Sequence, residues 1–129
     1  MPTTDLSFST PGLYALLARL QPADFDSLDF GVIGFDTDTN VVHYNSTESE
    51  AAGLTAPRVV GQPLFTNVAP CLNNFMVAQR FEDAHDDGAS LDDTIDYVLT
   101  LRMRPVKVRL RLLAEPGCAI RYVLVQRKP

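Results

Sequence analysis

Apolar and polar positions along this chain follow two periods, one helical and one of alternating strands. Leu13, Leu16, Leu17 and Leu20 recur at helical spacing behind Thr10-Pro11, a capping side chain followed by proline at the first helical position. They predict a short amphipathic helix that must lie on something, with Pro22 as its stop and Ala23 to Leu28 as a further turn. Phe30 to Phe35 reads as a strand, and Val41 to Tyr44 as its antiparallel return across the turn chemistry of Asp36-Thr37-Asp38-Thr39-Asn40. Gly53, Gly61, Pro63 and Pro70 then cut the chain into short helical pieces over 45–52, 57–60 and 64–68. A longer helix over 77–87 ends at Gly88, a residue suited to the left-handed turn past a helix end. Three strands follow, over 94–101, 106–113 and 120–127, the last after the Glu115-Pro116-Gly117 turn.

This order predicts an α+β domain, a five-stranded antiparallel sheet with helices on one face. Residues 1–28 form an N-terminal helical cap and residues 29–129 the core. The 129 residues are one domain's worth, and 46% hydrophobic with 21% charged residues is the composition of a globular protein. A net charge of -5 argues against nucleic acid, whose phosphates need a basic face. Arg102, Arg104, Lys107, Arg109 and Arg111 do cluster, but they alternate with Val106, Val108, Leu110 and Leu112 and read as the wet face of a strand. No run approaches the ~20 apolar residues of a membrane span, and the first residues lack a secretory pattern, so a cytoplasmic location is expected. Cys71 and Cys118 are expected to be free thiols. His43 and His85 carry no metal-ligand spacing.

The candidate chemistry lies in Val68-Ala69-Pro70-Cys71 and in Tyr44 with Glu48, four residues apart. Pro70 fixes its own φ and biases Ala69 toward an extended conformation, which makes the loop presenting the Cys71 thiol rigid. Each residue also has an ordinary reading. A lone cysteine is usually a small core residue, and an aromatic at a strand end usually packs on the core. Asn45-Ser46-Thr47-Glu48 is a capping-box pattern that would leave Glu48 solvated.

The combination resembles the photoactive yellow protein family, blue-light receptors of the PAS fold. The resembling stretches are Phe30-Gly31-Val32-Ile33, Tyr44-Asn45 with Glu48, Val59-Val60-Gly61, Asn67-Val68-Ala69-Pro70-Cys71, Met103-Arg104-Pro105-Val106-Lys107-Val108 and Tyr122-Val123-Leu124-Val125. They run in register from about Leu28 onward, with one insertion near Gly88 to Leu91. The resemblance implies p-coumaric acid bound to Cys71 as a thioester, its phenolate hydrogen-bonded by Tyr44 and by a protonated Glu48. It also implies trans-to-cis isomerisation in light, proton transfer from Glu48 and partial unfolding. A buried carboxyl kept neutral at pH 7 is physically coherent, because desolvation and a neighbouring anion both raise its pKa.

The pocket positions carried over are Ile33, Ala52, Leu54, Leu64, Val68, Ala69, Leu72, Tyr97, Leu99, Leu101 and Met103. Leu99 and Leu101 stand where the family pattern has aromatics. Ala52 replaces a threonine that braces the tyrosine, and Leu54 replaces an arginine that covers the phenolate end. The phenolate is then expected to depend on Tyr44, Glu48 and backbone dipoles, with a retuned photocycle. Two other functions compete: a PAS module that binds a noncovalent ligand or mediates protein interaction, and a thiol enzyme or redox sensor built on Cys71. No histidine or oxyanion-hole motif accompanies Cys71, so no enzyme is expected, and the flavin-linking Asn-Cys-Arg-Phe type motif is absent. The expected partner is a separate downstream signalling protein, and the expected state a monomer or weak dimer.

Overall fold

A computed structural model describes residues 6–100 and 105–127. After the N-terminal helix α1 (Leu13–Leu17) and a 3-10 helix (Pro22–Ser27) come the strands β1 (Gly31–Phe35) and β2 (Val41–Tyr44). Helices α2 (Ser46–Ala52) and α3 (Ala56–Val59), a π-helical turn (Leu64–Val68), a 3-10 turn (Pro70–Leu72) and α4 (Ala78–Asp87) follow. Strands β3 (Leu91–Leu99), β4 (Val106–Ala114) and β5 (Arg121–Arg127) close the fold. All pairings are antiparallel, in the order β2-β1-β5-β4-β3. Gly88 ends α4 in the left-handed conformation, φ 61°, as its position in the sequence implies.

Both faces of the sheet are covered. On one, Ile33, Phe35, Leu110, Leu112, Val123 and Val125 pack under the helices and loops between β2 and β3. On the other, Val32, Leu113, Tyr122 and Leu124 receive Phe8, Leu13, Leu17, Phe25, Leu28 and Phe30 from the N-terminal segment. The amphipathic helix therefore lies on the back of the sheet, and each segment shields apolar area that would otherwise face water.

Three local expectations are corrected. The α1 N-terminus is Gly12, at φ 66°, and Thr10-Pro11 does not start the helix. Thr10 is occupied in a turn, its Oγ1 accepting from Ser7 N at 2.8 Å and its carbonyl accepting from Arg111 at 2.8 Å. Strand β3 begins at Leu91, ahead of the predicted start. Asp92 and Asp93, loop-like by composition, are held in the strand by ion pairs to Arg111 and Arg80, each at 2.8 Å.

Arg111 is the third correction, because it is buried and does not belong to a wet face. Its guanidinium donates to both carboxylate oxygens of Asp92 and to the carbonyls of Phe8 (3.0 Å) and Thr10. The alternation of β4 holds from Lys107 to Leu110 and fails beyond, where the N-terminal segment covers the face that would otherwise be solvated.

Candidate functional site

The site is built where α2 meets the sheet. Asn45, in extended backbone before the helix, caps it by accepting from Glu48 N at 3.1 Å, and its Oδ1 also accepts from Val32 N at 2.9 Å. Its amide nitrogen donates to the carbonyls of Phe25 (2.9 Å) and Phe30 (3.0 Å). Both donors and both acceptor positions of this buried amide are thus used, which ties α2, β1 and the N-terminal segment into one unit. Ser46 N and Thr47 Oγ1 add bonds to Asp26 (2.7 Å) and to the Leu28 carbonyl (2.6 Å).

That anchoring turns Glu48 toward the sheet. The solvated capping role does not occur, since Glu48 is 1% exposed and its carboxylate lies over Gly31. A Cβ at Gly31 would overlap Glu48 Oε1 and stand 3.2 Å from both Cβ and Cδ of the same side chain. Glycine inside this strand is what allows the close approach. Gly31 pairs with Val125, two residues before Arg127, so Gly31 and Arg127 share the helix-bearing face.

Arg127 completes the arrangement. Its Nη1 donates to Glu48 Oε1 at 2.7 Å and its Nη2 to Oε2 at 3.2 Å, a two-pronged ion pair. The arginine side chain is 22% exposed and the glutamate 1%, so the pair bridges core and solvent. Burial pushes the Glu48 carboxyl above its ordinary value, and the Arg127 guanidinium opposes that rise. Tyr44 is buried nearby, opposite Ile33. Its phenol is raised by burial and by the Glu48 charge, with Arg127 opposing, so it is a neutral donor at pH 7.

Cys71 sits in the short 3-10 turn after Ala69, whose amide donates to the Leu64 carbonyl at 2.7 Å. Ala69 adopts φ -141° and ψ 70°, outside the helical region as the following proline requires. The Tyr97 hydroxyl donates to the Cys71 carbonyl, and Asn74 Nδ2 donates to the Tyr97 hydroxyl and to the same carbonyl (3.2 Å). The loop is thereby fixed to β3, while Cys71 itself is a free, half-buried cysteine against the main core. Tyr97→Phe is expected to cost roughly 1 kcal/mol and to raise amide hydrogen exchange at residues 70–74; unchanged exchange would remove Tyr97 from this role.

A cavity of about 1120 Å³ opens at the end of the sheet, with Met76, Tyr97, Val108 and Arg127 among its lining. Its size is at the upper end of, or beyond, the roughly 300–1,000 Å³ of ordinary ligand sites. Tyr97, which bonds the Cys71 carbonyl, and Arg127, which pairs with Glu48, both line this cavity, whereas Cys71, Tyr44 and Glu48 are not among its lining.

The remaining pocket positions fall into place around it. Ile33, Leu64, Val68, Ala69, Leu72 and Leu99 are buried in the main core, with Leu54 and Tyr97 packed partly buried against it. Ala52 is buried on α2. Leu101 and Met103 lie outside the described residues. His43 is stacked on Phe25 at 4.8 Å and faces Tyr122, while His85 contacts Arg121 at 3.2 Å; no metal-binding cluster occurs among the described residues.

Asn45 has the capping role its pattern suggested, while two site residues, Gly31 and Arg127, carried no assigned role in the sequence. A glycine inside a strand pattern signals close approach, and an asparagine before a helix signals a cap. Arg127 has no such signal, and the structure places its guanidinium on Glu48.

Comparison with known proteins identifies the fold and the family. A profile of the PAS fold matches residues 25–128. The photoactive yellow protein of Halochromatium salexigens is 30% identical over 105 residues, covering 81% of this chain and 83% of its own. That of Rhodothalassium salexigens is 28% identical over 107 residues, covering 83% and 85%. Among solved structures, the photoactive yellow protein domain of the sensor histidine kinase Ppr from Rhodospirillum centenum superposes with a TM-score of 0.79 at 33% identity, covering 88% of this chain and 98% of that one. With the PAS fold matched over residues 25–128 and a relative 30% identical over 81% of the chain, the chain belongs to the photoactive yellow protein family of PAS domains.

Proposed function

We propose that the protein is a blue-light photoreceptor, not an enzyme, that carries p-coumaric acid as a thioester on Cys71. The observation that carries this reading is Glu48 buried beside Tyr44, whose ring belongs to the same apolar core that the free Cys71 packs against from its fixed loop. The residues fit the group. Cys71 is free and partly accessible, its loop is fixed, and Tyr44 and Glu48 are buried polar side chains, Glu48 exchanging its Arg127 partner for the incoming phenolic oxygen.

The bound group supplies a double bond that isomerises on absorbing light and a phenolate oxygen that accepts hydrogen bonds. Tyr44, neutral at pH 7, donates to that oxygen. Glu48 holds a proton in the dark and also donates, since burial favours its neutral form. After illumination Glu48 loses that proton and becomes a buried carboxylate, which strains the packing around it. Asn45 links the Glu48 amide to the Phe25 and Phe30 carbonyls, so a shift of α2 is transmitted to the N-terminal segment, whose loosening is the signalling state. A separate cytoplasmic protein that recognises the released segment is the proposed partner. No helix among the described residues is long and apolar enough to cross a membrane.

The test is to mix the purified protein with an activated thioester of p-coumaric acid and record its intact mass and visible spectrum beside Cys71→Ser. The expected result is a mass gain of one coumaroyl group with a yellow band, both absent in the variant. An unmodified wild-type protein would leave Cys71 structural and make the chain a PAS module of another ligand or partner.

A further inference from the structure

We infer that Arg127 is the standing cation of the site: it pairs with ionised Glu48 in the unloaded protein and takes that carboxylate back after illumination, and so sets how long the bleached state lasts. The inference rests on the photoreceptor reading and adds a residue to it.

The geometry is specific. The carboxylate is 1% exposed and both its oxygens are engaged by the guanidinium, at 2.7 and 3.2 Å. Glu48 is positioned by bonds independent of Arg127: its amide is capped by Asn45, and Gly31 leaves the space its head group fills. Arg127 comes from the last residue of β5, 79 positions away, with its side chain partly in solvent and in the cavity wall. It can therefore swing between Glu48 and the cavity while Glu48 stays fixed.

One proton then moves between two oxygens beside a fixed positive charge. In the unloaded protein Glu48 is the carboxylate of the ion pair. On loading, the O–H bond of the incoming phenol breaks and an O–H bond forms on Glu48, leaving a phenolate, a neutral acid and the unchanged guanidinium; the sum of charges is the same before and after. Light reverses the transfer, and the carboxylate finds Arg127 where the unloaded protein already holds it. The charge created by light strains its surroundings until Arg127 returns to it, and once paired it is far less costly than a buried lone ion. A carboxylate stabilised in this way takes its proton back from the phenol slowly. Arg127 also supplies at this end the guanidinium that Leu54 does not.

The experiment has two arms on Arg127→Gln, with Arg127→Lys as the variant that keeps the charge but not the two-pronged geometry. In the unloaded proteins the Glu48 carboxyl carbon is titrated by NMR. In the coumaroyl-loaded proteins the recovery of the visible band in darkness is timed. Glu48 is expected to titrate higher in Arg127→Gln than in wild type, and the band to recover about tenfold faster. Arg127→Lys is expected to recover faster than wild type by a few-fold, a comparison that decides the matter if the glutamine variant does not fold. Equal Glu48 titration in wild type and variants, or equal or slower recovery, would overturn the inference. A wild-type protein that takes up no coumaroyl group overturns the photoreceptor reading and the photocycle role with it, and the titration arm identifies that case by still showing the ion pair.

Discussion

Gly31→Ala is expected to push Glu48 out of its place and to lower stability by about 1–3 kcal/mol. Backbone strain is not the cause, because Gly31 lies in a regular strand paired to Val125 and an alanine there has an ordinary conformation. The cause is overlap. The new methyl would occupy the position of Glu48 Oε1 and crowd Cβ and Cδ at 3.2 Å. The head of a flexible glutamate would normally move aside cheaply, but this one is anchored by the Asn45 cap on one side and by Arg127 on the other, with protein all around it. Either the ion pair breaks or α2 lifts from β1. Denaturant unfolding measures the loss, and the Glu48 carboxyl resonance shows which of the two occurs. An alanine variant with wild-type stability and an unshifted Glu48 resonance would mean that the carboxylate does not press on this glycine.

Arg111→Gln is expected to release the N-terminal segment from the back of the sheet and to cost roughly 2–3 kcal/mol. This guanidinium donates four hydrogen bonds, two to the Asp92 carboxylate and two to the carbonyls of Phe8 and Thr10, in a position almost closed to water. A glutamine is too short to make them all, which leaves carbonyls short of donors beside the apolar cluster of Phe8, Leu13, Leu17 and Phe30. Amide exchange over residues 6–28 is expected to accelerate well beyond that of β1 and β5. Acid should act in the same direction. Hydrogen bonding from Arg111 holds the Asp92 carboxyl below its ordinary value, with burial opposing. Its stabilising contribution is therefore complete above the unfolded pKa of ~3.9 and is lost as pH falls through the lower folded value. Arg111→Gln removes that part of the acid sensitivity. Equal exchange in wild type and variant would show that apolar packing alone holds the segment.

The element order was legible because each element carries a local signal. The alternation in β4, the leucine spacing of α1, the turn residues between β1 and β2 and Gly88 after α4 depend only on near neighbours along the chain. The misreadings share a different cause. Thr10 has the chemistry of a helix cap but is engaged by Ser7 and by Arg111 from β4, and Arg111 has the spacing of a surface residue but is covered by the N-terminal segment. Asp92 and Asp93 look like loop residues until their arginines arrive.

The candidate site divides in the same way. Cys71 behind Pro70, and Glu48 after Asn45, are readable from neighbours in sequence. Arg127 is not, because a pair separated by 79 residues leaves no periodic trace. The fold makes that contact by placing β5 beside β1, with Gly31 opening the space between them. Arg127 thus reaches Glu48 from the end of β5, and only the three-dimensional register reveals it.

The most direct test of the central claim is the light-minus-dark difference spectrum of the coumaroyl-loaded protein in the visible region. A blue-light photoreceptor of this design is expected to show loss of its visible band on illumination, appearance of a band at shorter wavelength as the phenolate is protonated, and full return in darkness. A loaded protein whose visible band is unchanged by blue light would contradict the account, since Cys71, Tyr44 and Glu48 would then hold a pigment without the proton exchange that makes it a sensor.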